Sequence, residues 1–159
     1  MKADPGPAIR HILILCEGNH CRGPMAEALL GSLLPPGIQV ESAGLEALEG
    51  GPADAEAQRL LATHGLDISS HRGRQLTKEM ALKADLILVM DLPQKAWCEQ
   101  MIPSAVGRIF LLRHWLPAPP REIADPYQMG PEAFSAAFES IRESVADWLP
   151  RITTQRRRA

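Results

Sequence analysis

The run Ile12-Leu13-Ile14-Leu15 is apolar at every successive position. A strand with one wet face alternates apolar and polar residues, whereas a strand apolar on both faces belongs inside a parallel sheet covered by helices. Residues 9–15 therefore predict a buried strand, and residues 84–91, with Leu86-Ile87-Leu88-Val89-Met90 at their centre, predict another. Residues 38–43 and 106–114 supply two more strands. Stretches of helical spacing separate them. Pro24 opens one that reaches Leu34, with Met25, Leu29 and Leu33 on a single stripe and the proline suited to the first helical position. Residues 53–64 are halted by Gly65. Residues 77–83, 93–101 and 131–149 complete the helices. Phe134, Phe138, Ile141, Val145 and Trp148 form the apolar face of the last and are read as core, and Cys98 as packing. The expected fold class is α/β: a single-domain parallel four-stranded sheet with helices on both faces and right-handed crossovers.

A length of 159 residues fits one domain, read as residues 9–150. Residues 1–8 (MKADPGPA) read as a flexible leader, and residues 151–159 as a solvated basic tail without an apolar anchor. Lys and Arg number 17 against 19 Asp and Glu, a balance that argues against wholesale binding to nucleic acid or a membrane surface. The longest apolar stretch, residues 12–16, is far too short for membrane insertion, and no signal-peptide pattern is seen. Three cysteines cannot all pair, which favours a reducing, cytoplasmic setting. The five histidines show no ligand spacing, so no metal and no cofactor are expected.

Ligands of such sheets bind at the carboxyl ends of the strands. The first strand ends in Cys16-Glu17-Gly18-Asn19-His20-Cys21-Arg22-Gly23-Pro24, directly before a helix. The spacing Cys-x5-Arg is weak by itself. Its position gives it meaning, because a loop entering a helix aims several backbone N–H groups at one point and adds the positive end of the helix dipole. An oxyanion is stabilised there, a thiol is shifted toward thiolate, and Arg22 can clamp two oxygens of a phosphoryl group. A thiolate in an anion cradle is suited to covalent phosphoryl transfer.

The segment CEGNHCRGPMAEALL resembles the signature of the low-molecular-weight protein tyrosine phosphatases, whose loop has the form C-x-G-N-x-C-R-S-P before a helix. Ser42-Ala43-Gly44, Pro52-Ala53-Asp54, His71-Arg72-Gly73-Arg74-Gln75, Met90-Asp91 and Asp125-Pro126-Tyr127 follow in the family's order and spacing. The resemblance implies a phosphate-binding loop after the first strand, built from Glu17, Gly18, Asn19, His20, Cys21 and Arg22. It makes Cys16 the nucleophile and Arg22 the clamp. Asp125 becomes the general acid, set in a loop by the extended geometry imposed before Pro126. Ser42 and His71 would support the loop through Asn19, and Leu48 and Tyr127 would contact the substrate's aryl ring. Cys21 would be a redox partner able to form a reversible disulfide with Cys16. The loop around Leu48 is similar to bacterial members, which implies a phosphotyrosyl protein as partner, such as a tyrosine autokinase of exopolysaccharide export.

The chain also departs from that pattern. Gly23 stands where the family has Ser or Thr, a hydroxyl able to donate to the thiolate. Glu17 and His20 replace pocket-wall residues, adding a negative charge and a titratable ring. These changes predict a slowed enzyme or an unusual substrate, with Gly23→Ser raising turnover. Two alternatives stay open: a catalytically impaired protein that binds phosphotyrosine or phosphate, disfavoured because a binder has no use for a proton donor, and an arsenate reductase. The latter needs two further cysteines near and beyond the third strand, where this chain has only Cys98.

Overall fold

The computed structural model describes residues 8–117 and 121–157, so all but the last residue of the expected leader lies outside the described residues. The elements run β1 (His11–Cys16), α1 (Arg22–Leu33), β2 (Gln39–Gly44), α2 (Ala55–Thr63), α3 (Lys78–Lys83), β3 (Leu86–Val89), α4 (Leu92–Met101), β4 (Ile109–Leu111) and α5 (Pro131–Arg157), with a single 3-10 turn at Pro103–Ala105. The strands are all parallel, in the order β2-β1-β3-β4. After β1 the chain moves to one side of it for β2 and later to the other side for β3. The carboxyl end of β1 is therefore the place where the sheet's winding reverses and a crevice opens.

Residues along each strand alternate between two cores. Ile12, Ile14, Leu86 and Leu88 face α1, α2 and α5. Leu13, Leu15, Ile87 and Val89 face Ala81 of α3, Cys98 of α4 and the 3-10 turn. Helices thus cover both faces, as continuous apolar strands require.

Three departures from expectation have a physical reason in the structure. Pro24 is the third residue of α1, since the helix begins at Arg22. The first four N–H groups of a helix lack internal partners, so a proline there still forfeits nothing. The strand expected over 106–114 is reduced to Ile109–Leu111: Gly107 turns with φ +94°, and His114 N–H closes a turn onto the Leu111 carbonyl at 3.0 Å. The basic tail is a correction. α5 continues through Pro150 to Arg157, and Ile152 is fully buried as the apolar anchor that the sequence reading denied. An interior proline costs about 3 kcal/mol. Burying Trp148 and Ile152 on either side contributes about 2–3 kcal/mol each, enough to carry the helix across it. Trp148 is fastened further by its indole N–H, which donates to the Leu112 carbonyl at 2.8 Å.

Candidate active site

β1 delivers Cys16 to the carboxyl end of the sheet, and six residues later α1 begins. The backbone between them curls around the sulfur. Asn19 makes the curl possible: it takes a positive φ of 54°, which asparagine tolerates better than most residues. Four bonds hold that conformation. Its side-chain amide donates to Ser42 Oγ at 2.9 Å, and its side-chain oxygen accepts from Arg74 N–H at 2.8 Å. Its carbonyl accepts from His71 Nε2 at 2.8 Å. Ser42 passes the tether on, donating to Glu27 Oε1 of α1 at 2.6 Å. Ser42 and His71 are thus both hydrogen-bonded to Asn19.

Cys16 is almost completely buried. Burial pushes its thiol up from an ordinary value, while the Arg22 guanidinium and N–H groups of Gly23, Asn19 and His20 pull it back down. Arg22 is also buried and is held from three directions. It donates through Nη1 to the Ile123 carbonyl at 2.7 Å, and stands 3.7 Å from a carboxylate oxygen of Asp91 and of Asp125. Asp125 is half-exposed, and its other oxygen accepts from Tyr127 N–H at 3.1 Å. The resulting cavity, about 170 Å³, is walled by Cys16, Gly18 and Arg22 from below and by Leu48, Asp125 and Tyr127 at the mouth. Gly73 sets the Leu48 side of that mouth. A Cβ on it would collide with the Leu48 carbonyl oxygen, so only glycine allows the two segments to approach.

The sequence profile described as low molecular weight phosphotyrosine protein phosphatase matches residues 11–158. The chain belongs to this family. It is 47% identical over 144 residues to the probable low molecular weight protein-tyrosine-phosphatase EpsP of Ralstonia nicotianae, covering 91% of this chain and 97% of that one. The crystal structure of the Erwinia amylovora tyrosine phosphatase AmsI superposes with a TM-score of 0.86 at 35% identity, over 95% of this chain and 98% of that one. The YwlE arginine phosphatase of Geobacillus stearothermophilus also gives 0.86, at 33% identity over 92% and 95% of the two chains. By family, this phosphatase is a cysteine-dependent protein-tyrosine phosphatase.

Several residues in or behind the phosphatase pocket escaped the sequence reading. Asp91 stands beside Arg22 at the end of β3, and the rule that ligands gather at strand carboxyl ends could have found it. Glu46 lines the cavity together with Glu17. Glu27, from the middle of α1, carries no local signal at all. The side chain of His20, expected to serve the phosphate loop, stands in the cavity wall. Its backbone N–H faces Cys16, but its ring lies edge-on to Tyr127 at 5.5 Å and pairs with Asp54 at 3.3 Å. Cys21 is buried, and burial together with the charges of Asp54, Asp125 and Cys16 pushes its thiol strongly up. At Gly23 a Cβ would stand 2.9 Å from Cys16 Sγ, so a serine there requires the sulfur to yield by a few tenths of an ångström.

Proposed function

We propose that this chain hydrolyses phosphotyrosine in proteins through a phosphocysteine intermediate on Cys16. The reading rests on one arrangement above all: the Cys16 sulfur stands at the focus of three N–H groups and Arg22, with Asp125 across the same cavity. In the first step the Cys16 thiolate attacks phosphorus and the P–O bond to the aryl group breaks. Asp125 gives its proton to the departing phenolate. Arg22 and the loop N–H groups hold the oxygens on which charge accumulates, an arrangement preorganised by the ties on Asn19. In the second step water attacks the phosphocysteine, Asp125 takes the water's proton, and inorganic phosphate leaves with Cys16 restored as thiolate. Leu48 and Tyr127, half-exposed at the mouth, flank the aryl ring.

The physiological partner is a phosphotyrosyl protein of the cytoplasm, such as a bacterial tyrosine autokinase governing exopolysaccharide export. Among the described residues no helix is long and apolar enough to cross a membrane. Arsenate reduction is disfavoured. Cys98 lies in the core on the face of the sheet opposite α1, where burial, followed by Glu99, pushes its thiol up to about 11.

Hydrolysis of an aryl phosphate by the wild type and by Cys16→Ser, with and without chelator, tests the reading. Turnover that depends on Cys16 and is not lost with chelator is expected. Phosphotyrosine binding without Cys16-dependent turnover would point to a phosphate-binding protein, and turnover of phosphoarginine in preference to the aryl ester would move the substrate class to that of YwlE.

A further inference from the structure

His20 Nδ1 lies 2.9 Å from the Pro52 carbonyl oxygen. A carbonyl only accepts, so Nδ1 carries the proton, and Nε2 of a neutral ring presents a lone pair. That lone pair is aimed at Asp54 Oδ2, 3.3 Å away. Two acceptors face each other there unless a proton or a metal ion stands between them. Asp54 is not free to turn away, because its other oxygen caps α2 by accepting from Glu56 N–H at 2.8 Å. Cys21 completes the group: a nitrogen, a sulfur and an oxygen atom of these three residues lie within 4.8 Å of one another.

We propose that His20 Nε2, Cys21 Sγ and Asp54 Oδ2 form a zinc site on the wall of the catalytic pocket, whose occupancy inhibits turnover. The donor set selects the metal. Imidazole with thiolate suits zinc and is poor for magnesium or calcium, which take oxygen ligands. In tetrahedral zinc the edge between nitrogen and oxygen donors is about 3.4 Å, close to the 3.3 Å found here. The edge from sulfur to nitrogen is about 3.5 Å, so the Cys21 sulfur has at most about 1.3 Å to close. A ring N–H donated to a backbone carbonyl is the usual support of a metal-bound histidine, fixing both its tautomer and its orientation. Binding forms a zinc–sulfur bond and releases the Cys21 proton to solvent, and water fills the remaining coordination position.

Inhibition follows from the surroundings and rests on the phosphatase reading. His20 and Cys21 line the cavity that holds Cys16, Arg22 and Asp125. The charge of Asp125 acts on the Cys21 thiol. A dication at that spot would attract the Asp125 carboxylate, drawing it away from the leaving-group oxygen. It would also pin His20 and, through its ring contact, Tyr127.

Zinc affinity of the reduced full-length chain, measured by competition with a chromophoric chelator, tests the site without reference to catalysis. One zinc per chain is expected. Asp54→Asn keeps the helix cap but should weaken binding about 10–100-fold, His20→Ala should do the same, and Cys16→Ser should bind like the wild type. Cobalt in place of zinc should give a thiolate charge-transfer band that Cys21→Ser abolishes and Cys16→Ser retains. A band that follows Cys16, or an affinity indifferent to Asp54 and His20, overturns the site. In assays of aryl phosphate hydrolysis, zinc should inhibit the wild type reversibly and Asp54→Asn far less. Zinc bound at these donors with turnover undiminished removes the inhibitory half of the proposal. A chain without any Cys16-dependent turnover removes that half together with the phosphatase reading, and the binding result then stands by itself.

Discussion

Cys16 and Cys98 are the same residue type at nearly the same burial, 2% and 1% exposed. Burial pushes both thiols up, yet their neighbourhoods pull in opposite directions. Around Cys16, at the end of β1, Arg22 and three loop N–H groups all favour the thiolate. Around Cys98, inside α4, Glu99 only adds to the rise and the neighbours are apolar. A buried thiol is therefore inert by default, and what separates a candidate nucleophile from packing is the set of oriented charges and dipoles that offsets its desolvation.

That contrast can be broken most forcefully at Arg22. Arg22→Ala should leave Cys16 in an environment closer to that of Cys98, with Asp91 and Asp125 unbalanced beside it. Turnover of an aryl phosphate should fall about 10³–10⁵-fold, and alkylation of Cys16 by iodoacetate near neutral pH should slow in parallel. Normal alkylation would mean that Arg22 binds substrate without acting on the thiol.

Asn19 tests the N–H groups. Asn19→Ala removes the bonds to Ser42 and Arg74 and places a Cβ-bearing residue without a supporting side chain at φ 54°. Stability should drop by about 2–4 kcal/mol in denaturant titrations, and turnover should fall with it. Asn19→Gly separates the two causes. It relieves the backbone strain without restoring the bonds, so it should recover part of the stability and little of the turnover.

Gly23→Ser acts on the Cys16 side of the contrast by adding a hydroxyl donor next to the sulfur. Steady-state kinetics should show a severalfold rise in kcat, provided Cys16 Sγ moves to admit the new Cβ. An unchanged or lower kcat would show that the steric cost outweighs the added donor.

The smallest expected effect concerns Cys98. Its pKa is raised from 9.0 to about 11 in the folded chain, so the folded state favours the protonated thiol. The associated stability is fully present below pH 9 and is lost as the pH climbs through 11, up to about 2–3 kcal/mol. Wild-type stability should fall over that window, and Cys98→Ala, lower at neutral pH because of the cavity, should fall less steeply.

Cys16, Arg22 and the helix behind them were legible because strand, loop and helix are contiguous in the chain, and the local signals of apolar run, glycine turn and proline coincide there. The two cores were legible for the same kind of reason, since alternation along a strand is a local pattern. Asp91 and Glu46 were not, because distant segments bring them to Arg22 and to the pocket, and Glu27, although it lies in α1, acquires its role only from Ser42 of β2. The His20–Asp54 pair was hidden likewise: Asp54 reads locally as a helix cap, which it also is. The passage of α5 through Pro150 was missed because the local cost of proline is visible in sequence, whereas the burial of Ile152 that offsets it is a tertiary fact.

Hydrolysis by this route requires phosphorus to pass through the Cys16 sulfur. Asp125→Asn, mixed with an aryl phosphate whose leaving group departs without protonation, should form the phosphoenzyme and hydrolyse it slowly. Acid quenching and mass spectrometry of the peptides should then find one phosphoryl group, on Cys16. A phosphoryl group on His20 or Cys21, or turnover in the wild type with no phosphoenzyme at any quench time, would contradict the account.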